Sequence, residues 1–290
     1  MLKTERMDRV HAALRAQGLT QMIVCDPKSV WYLTGVAVEP YERLLALYLP
    51  TEGEPVLFLN RLFNVPEPPC RTVWHTDTDK PVAQIAEVVD AGRPLGIDKE
   101  WPAKFLIPLM ETHPGMQVVL SSDCVDDCRA CKDAEEQTLM REASRINDAV
   151  NEAAKHYIKA CMTEREVAEF IGAQFRAHGC EGPSFTTIVS FGANTADPHH
   201  EPDDTVLKEG DCVLFDMGCV KSRYCSDMTR TWFCGQPTEK QAAVHDLVRR
   251  ANEAAEALIK PGVRLCELDA AARDLITEAG YGAYFNHRLG

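Results

Sequence analysis

The stretch that most constrains this chain runs from Gly210 to Thr231, Gly-Asp-Cys-Val-Leu-Phe-Asp-Met-Gly-Cys-Val-Lys-Ser-Arg-Tyr-Cys-Ser-Asp-Met-Thr-Arg-Thr. Val213, Leu214 and Phe215 form the apolar run of a buried strand, and the run ends in Asp216. Gly218 and the polar Lys221-Ser222-Arg223 read as the turn into a second strand, Tyr224 to Phe233, that carries Asp227. The two aspartates are eleven positions apart and are expected on paired antiparallel strands. A carboxylate set among apolar neighbours is costly without a compensating cation, and two facing carboxylates repel. Divalent ions remove both penalties, and two-metal hydrolases hold their ions about 3.5–4 Å apart, a gap that one carboxylate can bridge. An ion-pair reading stays open beside this one: Asp216 with Arg223 or Arg230, and Asp227 opening a turn.

Partners are narrowed by charge. The 290 residues carry a net charge of −13, which disfavours a nucleic acid or an anionic membrane surface as partner. No apolar run approaches the ~18 residues of a membrane span, and Met1-Leu2-Lys3-Thr4-Glu5 is no signal peptide. The twelve cysteines are scattered through helix-like and strand-like segments, which suits reduced thiols in a cytoplasm. Cys124, Cys128 and Cys131 have the C-x3-C-x2-C spacing of a three-cysteine iron–sulfur site. No aromatic residue precedes Cys131, and Asp123, Asp126 and Asp127 crowd the segment with negative charge. The expectation is that these thiols bind no cluster.

The first part of the chain alternates helices and strands. Met7, Val10, His11 and Leu14 recur at helical spacing, and Gly18 ends that helix. Met22-Ile23-Val24-Cys25 is a strand closed by Asp26-Pro27, and Leu44–Leu49 with Pro55–Leu59 form a hairpin. A helix over Val82–Val89, a strand at Leu95-Gly96-Ile97, a helix after Pro102 and a strand at Val118-Val119-Leu120 complete an α/β domain. His75 and His113 are isolated and read as structural or surface residues. The polar stretch Ser121 to Asp133 reads as an inter-domain linker.

Beyond it, Glu135 to Ala160 is one helical pattern with Leu139, Ala143, Ile146, Val150 and Ala154 on one face. Thr163-Glu164-Arg165-Glu166 is a capping box opening a second helix that Gly179 ends. After the strand-like Ser184–Phe191 comes a loop, Gly192 to Pro202, with His199 and His200 fixed between prolines; binding groups concentrate on such loops. Thr238-Glu239-Lys240-Gln241 caps a third helix, and Cys266 to Ala279 forms a fourth.

Five stretches in order resemble the pita-bread metallopeptidases, the family of prolidase (Xaa-Pro dipeptidase), aminopeptidase P and creatinase. They are Lys132-Asp133-Ala134-Glu135-Glu136, Pro198-His199, Leu214-Phe215-Asp216-Met217-Gly218, Ser226-Asp227-Met228-Thr229-Arg230-Thr231 and His287-Arg288-Leu289-Gly290. Tyr32-Leu33-Thr34-Gly35 matches that family's amino-terminal domain. The resemblance implies a creatinase-like α/β domain over 1–125, a linker at 126–134, and an α+β pita-bread domain over 135–290 that is incomplete at its carboxy-terminal end.

By the same resemblance Asp216 and Asp227 are metal ligands for two divalent ions, Mn²⁺ or Co²⁺, and His199 and His287 are catalytic residues that bind the peptide carbonyl. A further ligand histidine and two glutamates, one of them the general base, would follow Gly290. The expectation is therefore a piece of a longer enzyme that cannot assemble its site alone. The implied activity is hydrolysis of the bond before proline in proline-containing peptides, by a cytoplasmic homodimer. The alternative is a non-catalytic pita-bread module that binds peptide or protein. Creatinase works without metal and does not need the aspartate pair, so retention of that pair favours a metallopeptidase.

Overall fold

A computed structural model describes residues 2–289; Gly290, the last residue of the fifth motif, lies outside them. The chain forms two compact units that meet between Asp133 and Ala134.

The first unit contains, in order, α1 (Thr4–Ala16), β1 (Gln21–Val24), α2 (Pro27–Thr34), β2 (Ala46–Pro50), β3 (Val56–Asn60), β4 (Arg71–His75), α3 (Pro81–Ala86), β5 (Leu95–Ile97), α4 (Ala103–Thr112), β6 (Val118–Leu120) and α5 (Asp123–Ala130). Its six-stranded mixed sheet has the order β4-β3-β2-β1-β5-β6. β1 is central, antiparallel to β2 and parallel to β5, and buried along its whole length. Period-2 alternation divides it: Met22 and Val24 pack with Val10 and Leu14 of α1 and Leu33 of α2, while Ile23 packs with Ile85 of α3 and Leu109 of α4. The expected hairpin is the antiparallel β2–β3 pair. Asp26, read as the close of a strand, is the N-cap of α2 and accepts from Ser29 N at 2.9 Å. His75 is buried, with Nε2 at 3.1 Å from the Leu44 carbonyl.

The linker reading is corrected for most of its length. Asp123–Ala130 is helical, and Cys124 and Val125 enter the same core as Met7, Val10 and Leu14, while Asp123 and Asp127 face solvent. A polar composition here marks an amphipathic helix, not a tether. The Cys124 thiol is thus part of the core, and burial raises its pKa to about 11.

The second unit opens with α6 (Ala134–Tyr157), followed by α7 (Glu164–Ala177), β7 (Gly182–Pro183), β8 (Ile188–Phe191), β9 (Cys212–Met217), β10 (Cys219–Lys221), β11 (Tyr224–Cys225), β12 (Met228–Phe233), α8 (Glu239–Glu256) and α9 (Leu265–Glu278). Ala143, Ile146, Val150 and Ala154 of α6 and Val167, Ile171 and Phe175 of α7 cover one face of the antiparallel sheet β12-β9-β8. Both capping boxes form: Thr163 with Glu166, and Thr238 with Gln241.

The hairpin differs from its sequence reading in one respect. The turn lies at Ser222 and Arg223, both at positive φ (49° and 67°). The two strands break at Gly218 and at Ser226-Asp227, so the tip pairs in a separate small sheet, β11-β10-β7. Asp227 therefore sits in the joint between β11 and β12, not on a strand. A Cβ on Gly218 would stand 1.9 Å from the Ser226 carbonyl oxygen and 2.2 Å from Ser184 Oγ, so only glycine permits this approach. The pinch is tied by Ser184 Oγ donating to Ser226 O (2.7 Å) and Cys219 N donating to Ser226 Oγ (3.0 Å). Gly218→Ala is expected to cost about 1–3 kcal/mol, as overpacking does, and to perturb Asp227 with it. A urea titration of the variant with an unchanged midpoint would contradict this.

Candidate metal centre and its flanking histidines

Alternation along β9 decides where Asp216 points. Val213, Phe215 and Met217 are buried against α6 and α7, so Leu214 and Asp216 occupy the opposite face. Asp216 is paired in register with Ile188 of β8 and Thr229 of β12. Its Oδ1 is buried and has no hydrogen-bond partner. Burial raises the Asp216 carboxyl above the usual carboxylate range; a hydrogen bond with the Thr229 side chain pulls it back, and the adjacent Asp227 pushes it up again.

The structure thus brings Asp216 and Asp227 together. Of the two cations that the sequence offered Asp216, Arg230 instead donates from Nη1 to the Thr229 carbonyl at 2.8 Å. A buried carboxylate oxygen without a partner, beside a second carboxylate, is a donor set that fits a divalent cation with oxygen preference.

The two histidine rings are at the surface. His199 lies on the loop after β8 and is exposed; its backbone N–H donates to Asp197 Oδ1 at 2.9 Å. His287 is also exposed, on the segment after α9. That segment is held by one residue pair of α9. Arg273 donates to the carbonyls of Phe285 (2.6 Å) and His287 (2.9 Å), stacks on the Phe285 ring, and makes a two-pronged bond with Asp269, which accepts from Leu289 N.

Arg273, with the Leu289 N–H, holds the Asp269 carboxyl at about 2, below its ordinary value. A carboxyl depressed on folding contributes stability present above its unfolded value of about 3.9 and lost as pH falls through the folded value. The 285–289 segment is therefore expected to keep its anchor at pH 4 and lose it as pH falls through about 2. Hydrogen exchange at the Leu289 amide checks this; Asp269→Asn should show the loosened state already at neutral pH.

Sequence reasoning missed Glu164. It was visible only as the second residue of a capping box, yet its side chain is fully buried beneath the His199 loop. Glu164, His200 and Asp203 place ligand-type atoms within 4.8 Å of one another. The signal available was a carboxylate in a helix first turn not needed for its cap; its partners, 27 to 39 residues away, were not readable.

Residues 138–290 match the Metallopeptidase family M24, and residues 6–131 match the Creatinase/Prolidase N-terminal domain. The chain belongs to metallopeptidase family M24. It is 32% identical over 98% of its length to an "uncharacterized peptidase" of Staphylococcus epidermidis, covering 82% of that protein. Among solved structures it resembles a prolidase from Thermococcus sibiricus (TM-score 0.92, 30% identity, 99% of this chain and 81% of that one). It also resembles the dipeptidase PepE from Mycobacterium ulcerans (TM-score 0.91, 32% identity, 98% and 79%). The M24 protein is thus a creatinase-type amino-terminal domain joined to a pita-bread catalytic domain, as the five motifs imply. Among its described residues no helix is long and apolar enough to cross a membrane.

Proposed function

We propose that this M24 protein is an Xaa-Pro peptidase that hydrolyses the bond preceding proline, with Asp216 and Asp227 holding divalent ions, Mn²⁺ or Co²⁺. The observation that carries the reading is the buried, unpartnered Asp216 Oδ1 beside a second carboxylate. Likeness to proteins described as a prolidase and a dipeptidase supports the substrate class. Ions held there would supply Lewis acidity and a nucleophile at neutral pH.

The chain's own residues have separate tasks in this reading. Asp216 and Asp227 offset the positive charge and fix where it sits. His199 and His287 reach the scissile carbonyl from the substrate side, and their N–H groups stabilise the oxygen as it takes on charge. The amide before proline lacks an N–H, so recognition rests on the carbonyl and the ring. The twelve thiols, all free, suit a reducing cytoplasm, and we take the working form to be a homodimer.

The test compares Ala-Pro with Ala-Ala, and Ala-Pro-Ala with Ala-Ala-Ala, using protein expressed from its complete reading frame. Mn²⁺-dependent cleavage confined to the proline peptides is expected. Peptide binding without cleavage under Mn²⁺ or Co²⁺ would replace this reading by the non-catalytic binding module.

A further inference from the structure

Glu164 is the first helical residue of α7, where the helix dipole favours a negative charge. Its carboxylate accepts four hydrogen bonds. Oε1 takes Phe191 N (2.7 Å) and Asn194 Nδ2 (3.0 Å); Oε2 takes His200 Nε2 (2.6 Å) and Asp203 N (3.1 Å). Because the partner is a carboxylate, His200 Nε2 carries the proton. Asn194 spends its other N–H on Thr205 Oγ1 at 3.1 Å, so its 3.2 Å approach to His200 Nε2 is a contact between donors. Every acceptor site of the carboxylate is used by the protein, which argues against a metal ion at Glu164, His200 and Asp203.

The four donors span the loop. Phe191 is the last residue of β8, where the loop begins, and Asp203 stands beyond its end. His199 lies between Asn194 and Asp203 and next to His200, which turns inward while His199 stays exposed. A second tie runs through the backbone: Glu164 N donates to Thr205 O (3.2 Å) and Arg165 N to Asp203 O (3.1 Å). The loop is thus closed onto the start of α7 by one buried charge.

We propose that Glu164 is a positioning residue for His199: by gathering both ends of the loop and the His200 ring, it fixes where the His199 imidazole is presented. This rests on the peptidase reading of His199. Fixing one catalytic group in place can be worth about 10²-fold in rate when a displacement of about 1 Å is avoided.

The test uses Mn²⁺-loaded protein from the complete reading frame, with Glu164→Gln, His199→Ala and the double variant. Glutamine keeps the size and the Oε1 acceptor but sets an NH₂ group against the donors of His200 and Asp203. The expected result is a kcat about 10²-fold lower on Ala-Pro, with KM and Mn²⁺ affinity near wild type. The double variant should be no slower than His199→Ala alone, since Glu164 acts through that ring. A wild-type kcat in Glu164→Gln, or losses that multiply in the double variant, would overturn the proposal. Should Glu164→Gln fail to fold, His200→Ala, which removes one donor of the four, must still lower kcat at constant KM; unchanged kcat counts against it.

If the wild-type protein cleaves no proline peptide, the peptidase reading falls separately, and amide hydrogen exchange decides the latch. Faster exchange in Glu164→Gln confined to residues 191–203 supports it. Unchanged exchange, or loosening spread over the whole second unit, overturns it.

Discussion

Replacing Asp216 by asparagine is expected to abolish metal-linked stabilisation while raising the stability of the metal-free protein. Wild-type protein with Mn²⁺ at 100 times its Kd should gain about 2.7 kcal/mol. The variant should gain almost nothing, because losing a ligand costs more than the about 10–100-fold in affinity that an outer partner costs. In the absence of metal the sign reverses. Asp216 has one buried oxygen with no partner and a second carboxylate beside it. An amide there carries no charge to desolvate and can donate to Asp227. A gain of about 0.5–2 kcal/mol is expected at neutral pH, the size that single stabilising substitutions commonly give. Thermal melts with and without Mn²⁺, and with chelator, read both effects. Equal Mn²⁺-induced shifts in the two proteins would remove Asp216 from the metal site.

His199→Ala should behave in the opposite way, with a large effect on rate and almost none on folding. The ring is exposed, and truncating an exposed side chain changes stability by about 0.5 kcal/mol or less. A donor to a developing oxyanion, by contrast, is worth about 10²–10³ in kcat. Steady-state kinetics on Ala-Pro, set against a melting curve, separates the two. A variant with full kcat would take His199 out of the chemistry and leave its loop as a recognition element.

What could be read beforehand follows the range of the interactions. The two capping boxes, the apolar face of α6 and the strand carrying Asp216 all rest on residues a few positions apart, and each formed as expected except that Leu139 of α6 stays outside the core. Asp216 and Asp227 could be paired because a hairpin is local. The joint that takes Asp227 off its strand could not, since it depends on Ser184, some forty positions earlier, meeting Ser226 beside Gly218. β4 was missed because Arg71-Thr72-Val73-Trp74-His75 shows no clean alternation; it is held by its parallel neighbour β3. α5 was misread because its burial depends on α1, over a hundred positions earlier. Glu164 belongs with these: composition tells nothing of a carboxylate whose four donors come from another part of the chain.

The alternation along β9 has a consequence for how this sequence can change. Val213, Phe215 and Met217 face the core while Asp216 faces away, so the side chain assigned to chemistry also marks the strand's register. A shift of one residue would expose three large apolar groups and push a charge among Ile146, Val150 and Phe175. Substitutions along β9 can therefore be judged one side chain at a time, but a single inserted or deleted residue between Val213 and Asp216 cannot. It would remove the fold and the site in the same event, so indels here should be far rarer among functional descendants of this sequence than point changes.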